Sequence, residues 1–246
     1  MILACFQYFS LLYRRSGRFA FDLAAALIFA LVFVVDAGKD YAPAVVEIGV
    51  FVVVYFVFMI FRTFQVSWQS EALPALARRA GRRAVLAGGF LLLYVHCGLI
   101  FLALYLCTLL DPAVREQLTP AAVGIAPLCV AIAMLVAGAV ALHFTPLFQA
   151  DRFSRRGTLG TLGLVLLALG LVSPFIRHFT DSALILALFQ HGLPPLNLLI
   201  EAAGQTRLSL KVAFESAYGF TYAAVILYAA FTRWRKQDLF LRTDGP

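Results

Sequence analysis

Six long apolar runs divide the chain, at residues 19–35, 41–61, 84–110, 121–148, 159–176 and 212–231. A helix that crosses a bilayer needs about 20 mainly apolar residues, and these runs with their connections use nearly all of the 246 residues. Only 13% of the residues are charged, against about 25% in an ordinary soluble domain, and the mean hydropathy is +0.89. The expected fold is therefore an all-α integral membrane protein. It is a single transmembrane domain over residues 1–246 with six transmembrane helices and no room for a sizeable soluble domain.

The runs differ in ways that carry structural meaning. The first is short and holds Asp22 near its start. The third and fourth exceed the usual length, which implies tilting, and Pro127 and Pro146 interrupt the fourth, where kinks are tolerated if neighbouring helices satisfy the freed carbonyls. Ahead of the first run, Gln7, Ser10, Arg14 and Arg18 recur at intervals of three and four in an otherwise apolar stretch. That spacing predicts an amphipathic helix over residues 1–18 lying in the membrane interface, with Arg14, Arg15 and Arg18 at its end. It is not a secretory signal, because its positive charges follow the apolar stretch.

Residues 182–203 are also apolar but are broken by Gly192, Pro194 and Pro195 into halves too short to span. A re-entrant helical hairpin before the last span, turning at those three residues, is the economical reading, since broken backbone at membrane depth must be buried in protein or line a cavity. A seventh span kinked at the prolines is the alternative, and it would upset the charge distribution.

The net charge of +7 is placed in short clusters between apolar runs, the habit of cytoplasmic loops and not of a nucleic-acid surface. With the amino terminus inside, fifteen Lys and Arg fall on inner loops and five, Lys39, Arg115, Arg177, Arg207 and Lys211, on outer ones. The inner set includes Arg62, the Arg78–Arg83 cluster, Arg152, Arg155, Arg156, Arg233, Arg235 and Lys236. Both termini are expected in the cytoplasm, with the chain in the plasma (inner) membrane among its lipids.

Few residues suggest chemistry. The three lysines, Lys39, Lys211 and Lys236, do not stand in Gly-Lys-Ser or Gly-Lys-Thr, so there is no P-loop. Cys5, Cys97, Cys107 and Cys129 have no CxxC spacing and suggest neither a disulfide framework nor a zinc site. His96, beside Cys97 in the third run, is a functional candidate because it is polar and intramembrane. A neutral histidine hydrogen-bonded to a neighbouring helix is the favoured alternative, since no acid lies within a helical turn of it. Most acids, such as Asp40, Glu47, Asp111, Glu201 and Glu215, sit near run ends. A proton-coupled carrier would keep a carboxylate at mid-membrane, and the lack of one in the sequence weakens that class without excluding it; an enzyme would need a polar cluster, which these residues do not assemble. The glycines Gly157, Gly160, Gly163 and Gly170 thread the fifth run and suit either a subunit contact or packing within one protomer. Span interiors rich in aromatics, such as Phe51, Tyr55, Phe90 and Tyr94, favour a lipid-like or amphipathic cargo over an ion where they do not simply face lipid or core.

Residues 65–83 form the most informative connection. Two readings stand. One is a short helix starting near Ser70, with Glu71 at its positive end, Leu73 and Leu76 on one side, Arg78 and Arg79 at its negative end and Gly81 as its stop. The other is a basic loop that touches lipid headgroups.

Taken together, the pattern resembles the membrane permease subunit of ATP-binding-cassette transporters, the type-two permease family, whose members include exporters of drugs, lipids and polysaccharides. The likeness extends over most of the chain. It comprises the amphipathic first helix ending in Arg14-Arg15, the Glu71-containing segment leading to Gly81-Arg82-Arg83, the broken segment Gly192-Leu193-Pro194-Pro195-Leu196-Asn197, and the basic aromatic tail from Arg233 to Phe240. The chain departs from the family where members often have Arg-Glu followed by glycine and it has Gln69-Ser70-Glu71-Ala72-Leu73.

The resemblance implies a transport subunit that is not itself an enzyme and pairs with a second permease copy. It implies a separate ATPase subunit that binds ATP and magnesium and is contacted through a coupling helix bearing Ser70, Glu71, Leu73, Leu76, Arg78 and Arg79. A haem-exporter-like permease is the nearest alternative. A lipid-acting integral membrane enzyme and a scaffold subunit are rivals from other classes.

Overall fold

The computed structural model describes residues 1–15, 17–29, 40–67, 81–120, 122–144, 165, 168 and 193–236. Among these residues the structure is helical, without strands. The first helices are α1 (Ile2–Arg15) and α2 (Arg18–Phe29), joined at Gly17, whose φ of 69° favours glycine. Then come α3 (Tyr41–Ser67), α4 (Arg82–Leu109), the short α5 (Pro112–Glu116), a 3-10 turn at Ala122–Gly124, α6 (Ile125–Phe144), α7 (Leu196–Ala203) and α8 (Leu210–Lys236).

Among the described residues, four helices are long and apolar enough to cross a membrane, over Tyr41–Thr63, Arg83–Leu109, Ile125–His143 and Leu210–Thr232. They match the second, third, fourth and sixth apolar runs. Of the first run, residues 19–29 are helical and 30–35 lie outside the described residues; the fifth run, apart from residues 165 and 168, also lies outside them.

Local chemistry sets the helix ends. The peptide at Gly81 has φ 82°, a left-handed conformation from which α4 starts. Leaving α4, Asp111 caps α5 by accepting a 2.9 Å hydrogen bond from the Ala113 amide, with Pro112 in the first helical position. Pro127 does not interrupt its helix as expected from the run. The helix begins at Ile125, so the proline falls in the first turn, where its missing N–H has no carbonyl to meet. Pro146 lies outside the described residues.

Side-chain pairs fix the direction of each helix. Phe56 meets Phe90 at one level and Tyr41 meets Tyr105 at another, so α3 and α4 are antiparallel. Gly49 faces Val130 and Gly138 faces Phe56, so α6 runs parallel to α3. Cys129 pairs with Ser216 and His143 with Ile226, so α8 runs parallel to α6. Phe29 stacks on Phe51 while Phe21 lies beneath the Arg62 guanidinium, so α2 is antiparallel to α3.

The bundle consequently has two chemically different ends. At one end lie the start of α4 with Arg82 and Arg83, Arg62 near the end of α3, and the end of α8 with Arg233, Arg235 and Lys236. At the other lie Asp40, Asp111, Glu116, Glu201 and Glu215 with Arg115, Arg207 and Lys211. Two hydrogen bonds tie the connections at this second end, from the Tyr41 amide to Gln117 Oε1 (3.2 Å) and from Thr119 to the Thr206 carbonyl (3.1 Å).

The core centres on α6, which is apolar all round and whose Ala126, Ala133, Ala137, Ala139 and Ala141 are fully buried. Small residues let α3, α7 and α8 approach it closely. Helix α7 begins at the buried Pro194 and Pro195 and packs Leu199 against Gly219 of α8 and Ile200 against Gly49 of α3. A Cβ at Gly204, which ends it, would lie 3.3 Å from the Ala42 carbonyl oxygen, at the end of the bundle where α8 starts. At eight residues it rises about 12 Å, well short of a bilayer core.

Helix α1, expected to lie in the membrane interface, packs against α4. Ile2, Cys5 and Phe6 lie against Gly88 of α4, and eight residues on, Tyr13 reaches His96. The helix therefore runs lengthwise along the first half of α4 in the same direction. Its buried stripe, Cys5, Phe9 and Tyr13, repeats every four residues, and of the expected polar stripe Gln7 and Arg14 are exposed on the other side and Ser10 is half-buried.

Candidate functional site

Among the described residues, four different helices build a polar cluster inside a largely apolar bundle. Halfway along α4, His96 Nε2 stands 2.9 Å from the hydroxyl of Tyr13 on α1 and 3.4 Å from Oδ2 of Asp22 on α2. The other carboxylate oxygen, Oδ1, accepts a hydrogen bond from the hydroxyl of Tyr55, halfway along α3. The Tyr13 and His96 rings meet edge to face with centroids 4.9 Å apart. Cys97, next to His96, is fully buried.

Asp22 is only 1% exposed. A carboxylate at such a place is costly to hold ionised in an apolar surround, and its retention needs partners. Tyr55 supplies one. Oδ2 accepts no hydrogen bond from a described residue and faces His96, whose Nε2 has either one lone pair or one N–H to offer. The arrangement can hold or exchange a proton between a carboxylate and an imidazole, and it joins α1 and α2 to the α3–α4 pair. On the α2–α3 seam an aromatic column leads away from Asp22, with Tyr55 stacked on Phe51 at 5.8 Å and Phe51 on Phe29 at 3.9 Å.

This cluster revises the expectation that no polar group of this kind would assemble. Although no acid lies within a helical turn of His96 along α4, one comes from α2 across the interface. The expected hydrogen bond to a neighbouring helix is present, and its partner is Tyr13. The signals in the sequence were a single acid inside the first run and a tyrosine on the four-residue stripe of α1. Among the described residues no group of three His, Cys, Asp or Glu is placed to hold a metal ion.

The other residues singled out from sequence are not gathered here. Ser70, Glu71, Leu73, Leu76, Arg78 and Arg79 lie outside the described residues, as does Gly192. Arg14 and Arg15 are exposed at the end of α1, and Arg18 is the first residue of α2. Pro194 and Pro195 are buried at the start of α7.

A second, smaller polar contact lies nearer the acidic end. There Cys129 Sγ is 3.6 Å from Ser216 Oγ, and Lys211 is 3.7 Å from the buried Glu215. No family model, curated protein or solved structure matches this chain.

Proposed function

We propose that the chain is the permease subunit of an ATP-driven exporter that forms the path for a lipid-like, amphipathic or drug-like substrate and takes its energy from a separate ATPase subunit. The observation that carries the reading is the sorting of the bundle into a basic end and an acidic end, together with the short buried helix α7 at the acidic end. In this reading the basic end is cytoplasmic and both termini lie there. The first and fifth apolar runs complete six spans, and residues 182–203 form a re-entrant hairpin of which α7 is the returning half. Residues 68–80, which join the basic ends of α3 and α4, offer the coupling surface.

A permease with no P-loop receives mechanical input only through its cytoplasmic surface. Glu71, with Leu73 and Leu76 beside it and Ser70, Arg78 and Arg79 at the helix ends, is the candidate contact, and a second permease copy completes the transporter. Truncating one partner of a docked charge pair costs about 2–5 kcal/mol. Co-purification with an ATP-binding subunit, followed by ATPase and export measurements in reconstituted vesicles, tests the proposal. Glu71→Arg is expected to uncouple hydrolysis from export or loosen the complex, and full export by a Glu71→Arg, Leu76→Asp double variant would refute the coupling contact. Stable purification with no ATPase partner would instead favour the lipid-acting enzyme or scaffold reading.

A further inference from the structure

We propose that Asp22 and His96 form an intramembrane proton-binding site, with one proton held between Asp22 Oδ2 and His96 Nε2, and that its occupancy keeps α1 and α2 seated on the α3–α4 pair. Such a site would operate whatever supplies the energy for transport.

Asp22 is almost wholly buried, and only Oδ1 is satisfied, by Tyr55. Oδ2 has no donor among the described residues but stands 3.4 Å from His96 Nε2. That nitrogen is also 2.9 Å from the Tyr13 hydroxyl. In the proton-free state the neutral ring serves one neighbour at a time: with a lone pair on Nε2 it accepts from Tyr13 and turns that lone pair toward the carboxylate. One added proton on Nε2 makes the ring an imidazolium, which donates toward Oδ2 and leaves the pair with no net charge. The proton comes from water and returns to water, and no other bond changes.

Titratable or charged groups near the pair include Tyr13 on α1, Tyr55 and Arg62 on α3 and Cys97 on α4. Tyr13 and Tyr55 are hydrogen-bonded into the site. Arg62 lies over the Phe21 ring, and Cys97 is buried beside His96.

The shared proton gives the pair a charge-assisted hydrogen bond, so withdrawing it weakens the seating of α1 and α2. The consequence is read at Cys5, which is buried where α1 lies against Gly88.

The test uses the full chain in lipid nanodiscs with ¹⁵N-labelled histidine, the His96 resonances being assigned by their loss in His96→Gln. Alkylation of Cys5 by N-ethylmaleimide is followed at its peptide by mass spectrometry and divided by the rate of free cysteine at the same pH. The expected result is that His96 loses a proton as pH rises and that the Cys5 ratio rises about tenfold over the same step, the loss of one charge-assisted hydrogen bond. Asp22→Asn should abolish the step in the ratio, and Tyr55→Phe should retain it with a shifted midpoint.

A His96 that keeps one charge state throughout would overturn the proposal. So would a flat Cys5 ratio in the unaltered chain, a result that stands even where Asp22→Asn fails to insert. An unchanged His96 titration in a well-inserted Asp22→Asn would also do so.

Discussion

Gly138 of α6 faces Phe56 of α3 so closely that a Cβ at Gly138 would lie 2.6 Å from the ring carbon Cε1, with the Phe90 ring at 2.7 Å on the α4 side. The two rings hold each other edge to face at 5.6 Å, so neither moves without disturbing the other. Gly138→Val is expected to destabilise the bundle by about 1–3 kcal/mol through overpacking. Gly98→Ala, whose new Cβ would meet, among the described residues, only Met134 Cε at 3.8 Å, should be neutral or stabilising by up to about 1 kcal/mol, since glycine weakens a helix interior. Thermal unfolding in detergent measures both, and equal effects would show that the α3–α4–α6 contact is not as close as described.

Helix α1 is held to α4 by backbone proximity as well as by the polar cluster. A Cβ at Gly88 would come 2.6 Å from Cys5 Cβ and 2.9 Å from the Phe6 amide nitrogen, and backbone cannot rotate away. Gly88→Val should therefore lift α1 off α4. Burial pushes the Cys5 thiol above its ordinary value, so the seated thiol carries less thiolate at a given pH. Lifting α1 exposes the sulfur and restores the thiolate, and Cys5 alkylation in Gly88→Val is expected to be faster by about tenfold or more. An unchanged rate would mean that α1 is not seated on Gly88.

At the acidic end, Tyr105 donates to the Val123 carbonyl at 3.0 Å and lies 3.3 Å from the Tyr41 hydroxyl. Polar contacts between helices in lipid average about 0.6 kcal/mol. Tyr41→Phe removes the weaker link and should cost about that much, whereas Tyr105→Phe leaves both the Tyr41 hydroxyl and the Val123 carbonyl without it and should cost about 1–2 kcal/mol. Unfolding midpoints of the two variants and of the double variant check the order, and the double should cost no more than Tyr105→Phe plus a few tenths.

The legible part of the fold was the part dictated by the bilayer as solvent. Apolar run length placed four helices within a few residues of where they lie, because any unpaired backbone in hydrocarbon is costly. Pro127 was misread as an interruption because its effect depends on helix phase, and the helix starts only two residues before it. The polar stripe on α1 suggested an interface helix, but the same periodicity places Cys5, Phe9 and Tyr13 on the opposite side, where a protein partner serves as well as lipid. The Asp22–His96–Tyr13–Tyr55 cluster was hidden for a different reason. Its members come from four helices, and nothing in the local spacing of any one of them encodes the meeting.

The helix directions themselves are open to a chemical test. Gly49 on α3 has Val130 Cγ2 3.4 Å from the position its Cβ would take, and the parallel course of α3 and α6 brings Phe56 beside Gly138 further along. Disulfides form where Cβ atoms approach to about 3.5–4.5 Å. Oxidation of a Gly49→Cys, Val130→Cys chain should therefore join α3 to α6, while a Gly49→Cys, His143→Cys chain, with the partner moved thirteen residues along α6 and so about 20 Å away, should stay reduced. Because α3 and α6 run parallel, their C-terminal ends lie on one side of the membrane, together with the start of the antiparallel α4. Single cysteines at positions 80 and 154, in a chain lacking the native four, should resist an impermeant thiol reagent on intact cells, and a cysteine at position 115 should react. Cross-linking of the second pair in preference to the first would overturn the parallel packing, and labelling at 80 or 154 from outside would invert the proposed orientation while leaving the fold intact.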